Sequence, residues 1–121
     1  GLGDVYKRQR DPNKIAQLKM IERAIVGEFD QLLTQLKSYE EGGGTLLDHT
    51  LTLLGSNLGN AASHDPRNNP ILLAGGGLNH GGYQAHNQTD NTPLSNLYVR
   101  MLQEIGIEAD SFASSSGALN W

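Results

Sequence analysis

Residues 50–74 read TLTLLGSNLGNAASHDPRNNPILLA: two apolar runs, 50–54 and 71–74, held apart by a long polar stretch. Neither run carries the sustained polar alternation of a half-exposed hairpin, and Gly or Pro bounds them, so both are expected as strands inside a sheet covered on both faces. The stretch between them, residues 55–70, is almost wholly small or polar and has neither helical nor strand periodicity. A connection of that length within a compact fold is usually functional. It also starts at the C-terminal end of a strand, the edge where open α/β sheets place their ligands. A second polar segment, residues 75–91 (GGGLNHGGYQAHNQTDN), leaves the second run. If the two strands run parallel, both segments emerge on one rim.

Upstream, Asp11 and Pro12 form a helix start, a side-chain acceptor followed by a ring whose missing N–H costs nothing at the first helical position. Ile15, Leu18, Ile21, Ile25, Phe29, Leu32 and Leu36 recur every three or four residues and predict one apolar stripe, which Lys14, Lys19, Glu22, Arg23 and Glu28 leave solvated elsewhere. The glycines at 42–44 end this helix near Tyr39. At ~1.5 Å per residue it would run about 40 Å, a length suited to lying across a broad sheet. Downstream, Thr92 and Pro93 open a closing helix with Leu94, Leu97, Tyr98, Met101, Leu102 and Ile105 as its stripe, ended by Gly106. A Ser- and Gly-rich tail follows, with Phe112 and Trp121 as its anchors. The expected class is α/β.

The opening nine residues, GLGDVYKRQ, back-translate into a transposon adapter used to build sequencing libraries. Residues 1–9 are therefore expected to be adapter-derived and not native, and 10–121 to be the C-terminal part of one α/β domain whose N-terminal part is missing. The whole chain has nine basic and thirteen acidic residues and a formal charge of −4. This balance disfavours a nucleic-acid or anionic-membrane surface, and no apolar run approaches the roughly 20 residues of a bilayer span. The absence of cysteine excludes disulfides, thiolate metal sites and a Cys nucleophile.

Four histidines are the first candidates for chemistry. His49 precedes the first strand and reads as structural or solvated. His64 with Asp65 beside it, His80 and His86 fall in the two loops expected to share a rim. Imidazole and carboxylate are the ligands a divalent metal ion takes when no thiolate is available, which makes His64, Asp65 and His80 the candidate metal ligands. The other reading of His64 is a hydrogen bond that pins its loop. Ser56, Asn57, Asn60 and His86 are the candidate ligand-binding residues around them, Ser56 and Asn57 able to add a neutral oxygen or orient a histidine. The glycine cluster at 75–82 matches neither a P-loop nor G-x-G-x-x-G and has no helix directly after it. It reads as tight turns. Ser63 and His64 are chain neighbours, which seldom face each other as nucleophile and base. Asn87-Gln88-Thr89 has the form of a glycosylation acceptor, a common chance match.

Three blocks, GTLLDHTLTLLGSNLGNAASHD, NPILLAGGGLNHGG and NTPLSNLYVRMLQEIGIEADSFASSSG, resemble the C-terminal part of an uncharacterised family of exported bacterial proteins, domain-of-unknown-function family 1552. The resemblance covers essentially all of residues 10–121. That family is more distantly similar to the alkaline phosphatase and sulfatase superfamily, which implies the C-terminal half of a three-layer fold: a long helix, two or three mostly parallel strands and a closing helix. It also implies a twin-arginine-type export signal, an extracytoplasmic location, and a His-containing loop before the long helix, where the adapter now stands. In the superfamily an Asp-His pair that binds catalytic metal follows the strand corresponding to residues 50–54. Here Asn57 and Leu58 stand near that point, a departure from the two-metal pattern, while His64 falls where relatives carry another histidine. The nucleophilic Ser or Thr of the superfamily follows an early strand outside this chain.

Two functions follow as expectations. The resemblance implies that the parent is a metal-dependent phosphate or sulfate ester hydrolase, with a divalent ion polarising the ester oxygen. The alternative is a non-catalytic extracytoplasmic protein that binds a glycan, a small anion or a partner protein on a degenerate site.

Overall fold

The computed structural model of the chain describes residues 11–61, 63–79 and 82–121. Residues 1–9, expected to be adapter-derived, and His80 lie outside the described residues. The described chain mixes helix and strand: α1 (Pro12–Ser38), β1 (Glu40–Glu41), β2 (Gly44–Thr45), a 3-10 turn (Leu46–His49), β3 (Leu51–Gly55), β4 (Ile71–Gly75) and α2 (Leu94–Glu104). The strands form two two-stranded sheets, β1 with β2 and β3 with β4.

Asp11 caps α1 by accepting from the Asn13 N–H at 2.9 Å, and Pro12 occupies the first turn. The 27-residue helix ends at Tyr39, as the glycines after it predict. Its burial differs from expectation. No residue of α1 is buried, and Ile15, Leu18, Ile21 and Ile25 are exposed, while Phe29, Leu33 and Leu36 are half-buried. Among the described residues the helix meets β2 and the 3-10 turn, and its half-buried residues lie toward its C-terminal end. No broad sheet lies under α1 among the described residues.

That junction is held locally. The Thr45 N–H and hydroxyl both donate to Asp48 Oδ2, at 2.7 and 2.9 Å, and the Leu46 N–H donates to the Tyr39 carbonyl at 2.8 Å. The 3-10 turn then docks on the larger hairpin: the Gly76 N–H donates to the Leu47 carbonyl at 2.9 Å.

The expected parallel arrangement of the two apolar runs is corrected here. β3 and β4 pair antiparallel, from Leu51 opposite Gly75 to Gly55 opposite Ile71. A connection of this length can serve a crossover or a hairpin, but a crossover is usually built on a helix, and residues 56–70 carry no helical pattern. They fold back on themselves instead. Asn60 and Asp65 form a further antiparallel bridge, and the Ser56 N–H donates to the Pro70 carbonyl at 3.4 Å. The hairpin therefore extends into its own loop. One consequence is that the loop lies at one end of the strand pair and Gly76 at the other, so the two polar segments do not leave from one rim.

The buried face of the closing helix differs from its predicted stripe: of the stripe Leu97 is buried, Leu94, Tyr98, Met101 and Leu102 are half-buried and Ile105 is exposed. Leu97 and Val99 are buried, and Val99, outside that stripe, is the most deeply covered. Ser95 and Asn96 are buried as well, because the C-terminal tail folds back over them. The Asn96 side-chain amide donates to Ser116 Oγ at 3.0 Å and accepts from the Ser116 N–H at 2.9 Å. Phe112 meets Tyr98 edge to face at 6.1 Å, and the Arg100 guanidinium lies 5.1 Å over the Trp121 ring. Among the described residues no helix is long and apolar enough to cross a membrane.

Candidate functional site

The hairpin loop is built around Asp65. Its backbone carbonyl accepts from the Gly59 N–H at 2.9 Å, and its N–H donates to the Asn60 carbonyl at 3.0 Å. Its carboxylate takes Arg67 on both oxygens: Oδ1 accepts from Arg67 Nε at 2.9 Å and from the Arg67 N–H at 3.0 Å, and Oδ2 accepts from Nη2 at 2.9 Å. Pro66 stiffens the one-residue spacer between them. The loop closes so tightly that a Cβ on Gly59 would stand 1.9 Å from the Arg67 carbonyl oxygen. His64, at φ 52°, and Asn68, at φ 56°, sit in the left-handed region, which non-glycine residues enter at a cost, often near functional sites.

The hydrogen bonds from Arg67 hold the Asp65 carboxyl at a pKa of about 2, the side-chain bonds acting most strongly and the backbone N–H next. A carboxyl whose folded value lies below its unfolded one stabilises the fold above the unfolded value and loses that contribution as pH falls through the folded one. The clamp is therefore expected to persist from neutral pH down past the ordinary carboxyl value of 3.8 and to open near pH 2. Carbon-detected NMR titration of the Asp65 carboxyl should give that low midpoint. Arg67→Ala should return it toward 3.8; an unchanged midpoint in the variant would show that Arg67 is not the cause.

The remaining predicted site residues are placed as follows. The Ser56 hydroxyl donates to the Leu58 carbonyl at 2.8 Å and accepts its N–H at 3.2 Å, a local turn. Asn57 is exposed. Asn60 accepts from the Ser63 N–H at 3.4 Å through its side-chain oxygen. His49 Nε2 donates to the Glu41 carbonyl at 3.0 Å and belongs to the junction under α1.

His86 reaches the same end of the molecule by an unpredicted route. Its Nδ1 lies 3.1 Å from Thr92 Oγ1, so the Thr92 hydroxyl is engaged there and the closing helix starts after Pro93 with no side-chain cap. The next residue back, Asn91, donates from its side-chain amide to Asn68 Oδ1 in the hairpin loop. Asn91 therefore joins the end of residues 82–92 to the hairpin loop. Arg67, Asn68, Asn69 and Asn91 complete this rim without having been singled out from the sequence. An Asp and an Arg flanking one proline was a legible signal for the clamp. The Asn68–Asn91 contact joins residues 23 apart in the chain and had none.

The fit of a divalent ion can be judged on these groups. Asp65 is the only carboxylate in the hairpin loop, and a cation placed on it would face the Arg67 charge at hydrogen-bonding range, a repulsion that lowers affinity. Among the described residues no group of three or more His, Asp or Glu side chains is gathered for a metal. The candidate set of His64, Asp65 and His80 includes a residue, His80, that lies outside the described residues. Comparison with protein-family models, with curated proteins and with solved structures gives no match for this chain.

Proposed function

We propose that this chain is the C-terminal part of an exported protein whose rim, formed by the hairpin loop and residues 82–92, binds a small polar ligand without metal chemistry. The observation that carries the reading is the Asp65–Arg67 clamp, which commits the loop's carboxylate to shaping the rim. The hydrolase reading rests on the block resemblance and needs ligands that the described residues do not gather. The three-layer, mostly parallel core belongs to the same proposal. An antiparallel strand commonly edges such a sheet, and the β3–β4 hairpin would serve as that margin. The exposed stripe of α1 would then face the rest of the parent. Extracytoplasmic location follows from the family resemblance.

The test is metal analysis of this chain together with an ester-hydrolase screen of the parent protein. After loading with zinc or manganese and desalting, the chain is expected to retain far less than one ion per molecule, equally in His64→Ala. The parent is expected to leave nitrophenyl phosphate and sulfate intact. One retained ion that His64→Ala releases, or metal-dependent turnover by the parent, would overturn the reading.

A further inference from the structure

We infer that the open half of α1 pairs with the same half of a second copy of this chain, the two helices lying antiparallel and crossing near Met20 and Ile21. The face is the one that the rest of the parent would take in the proposal above; in this chain the second copy takes it. The pairing is independent of the ligand-binding rim.

Three observations carry it. The first is a division along the helix. From Pro12 to Glu28 every residue of α1 is exposed, whereas Phe29, Leu33 and Leu36 are half-buried toward the end that meets β2 and the 3-10 turn. Ile15, Leu18, Ile21 and Ile25, between 38% and 57% exposed, continue the face of those half-buried residues at helical spacing. The open stretch is about 25 Å long. The second is charge. Residues 12–20 carry Lys14 and Lys19 and no acid, while residues 22–30 carry Glu22, Glu28 and Asp30 against Arg23, so the first half is basic by two charges and the second acidic by two. Antiparallel pairing lays each basic half over an acidic one; parallel pairing lays like over like. About this crossing, Ile15 of one copy stands opposite Ile25 of the other, and Lys14 opposite Glu28 on the border of the stripe. Lys19 and Glu22 of both copies surround the crossing, two cations with two carboxylates. The third is the position of the folded part. The chain's own β2 and 3-10 turn meet α1, so a parallel second helix would bring its folded part to the same place, whereas an antiparallel one carries it to the opposite end. Four apolar side chains from each copy cover less than the ~800 Å² per partner of a standard interface, which places the dimer in the weak, micromolar class.

The test is sedimentation equilibrium of the whole 121-residue chain from low to high micromolar concentration. A monomer–dimer equilibrium is expected. Leu18→Glu, at an exposed position of the stripe, should abolish the dimer and leave the circular dichroism spectrum unaltered. Lys14→Glu and Glu28→Lys should each weaken association several-fold, and the double variant should regain most of the original affinity. Glu28→Lys is the sharper of the single changes, because it reduces the net negative charge of the chain and general repulsion alone would then strengthen association. Lys14 and Glu28 lie about 20 Å apart along one helix, too far to meet within a chain, so recovery in the double variant reports contact between copies. A chain that stays monomeric throughout overturns the inference and leaves the rest of the parent as the occupant of the stripe. A dimer that survives Leu18→Glu, a double variant as weak as the single ones, or association that runs on beyond two copies overturns the antiparallel pairing.

Discussion

Gly75→Ala is expected to lower the unfolding free energy by about 3 kcal/mol or more, the range in which backbone strain and a steric clash combine. Gly75 has φ 84°, and a Cβ built there would lie 2.1 Å from the Thr50 carbonyl oxygen and 2.7 Å from that of Leu47. Both obstacles are backbone, so no side-chain rotation relieves them. The only escape is to push the 3-10 turn off the end of β4, which breaks the bond from the Gly76 N–H to the Leu47 carbonyl. α1 packs on that turn and on β2, so the damage separates the long helix from the hairpin. Gly77 provides the control. It has φ 66°, but its nearest obstacle, the Asp48 carbonyl oxygen, is at 3.7 Å, so alanine there meets the left-handed cost alone, about 1 kcal/mol. Urea denaturation followed by circular dichroism should separate the two variants clearly. Equal midpoints would mean that the turn does not press on Gly75 as described.

This close approach of turn and strand also shows what the amino-acid sequence can and cannot carry. The helix bounds were legible because caps act locally: Asp11 and Pro12 start α1, the glycines after Tyr39 stop it, and Gly106 follows α2. Both strands were legible within a residue, since apolar runs between Gly and Pro have few alternatives. Their relative direction was not. It depends on the path of residues 56–70, decided by the Asn60–Asp65 bridge and the Arg67 clamp rather than by hydrophobic pattern. The same error placed the two polar segments on a common rim at their origins. They do meet, but through Asn91 and Asn68, a pair 23 residues apart with β4 between them in the chain. Asp65 was singled out as a carboxylate in a polar loop, and the structure engages it with Arg67, two residues away.

Asn96→Leu carries the second large effect, an expected loss of about 2–3 kcal/mol, since a similar volume is kept while two hydrogen bonds vanish and a covered N–H is stranded. Asn96 is 7% exposed in the first turn of α2, and its side chain turns to the tail rather than to the helix end. Its oxygen takes the Ser116 N–H, its nitrogen donates to Ser116 Oγ, and its backbone carbonyl receives the Leu119 N–H at 2.9 Å. One residue thus fastens the tail over the helix at three points, and the Tyr98–Phe112 and Arg100–Trp121 contacts lie to either side. Leucine removes the two side-chain bonds and leaves the Ser116 N–H facing an apolar branch. The remaining backbone bond cannot compensate, because the tail is rich in Ser and Gly and has much conformational entropy to recover on release. Trp121 is the chain's single tryptophan, so its emission reports the event directly: a red shift in the variant as the ring leaves Arg100, with faster proteolytic cleavage after α2. Asn96→Asp should fall between, since the carboxylate still accepts from the Ser116 N–H and hydroxyl but must do so as a nearly buried charge. Wild-type emission and cleavage in Asn96→Leu would mean that the ring contacts hold the tail and that the buried amide is dispensable.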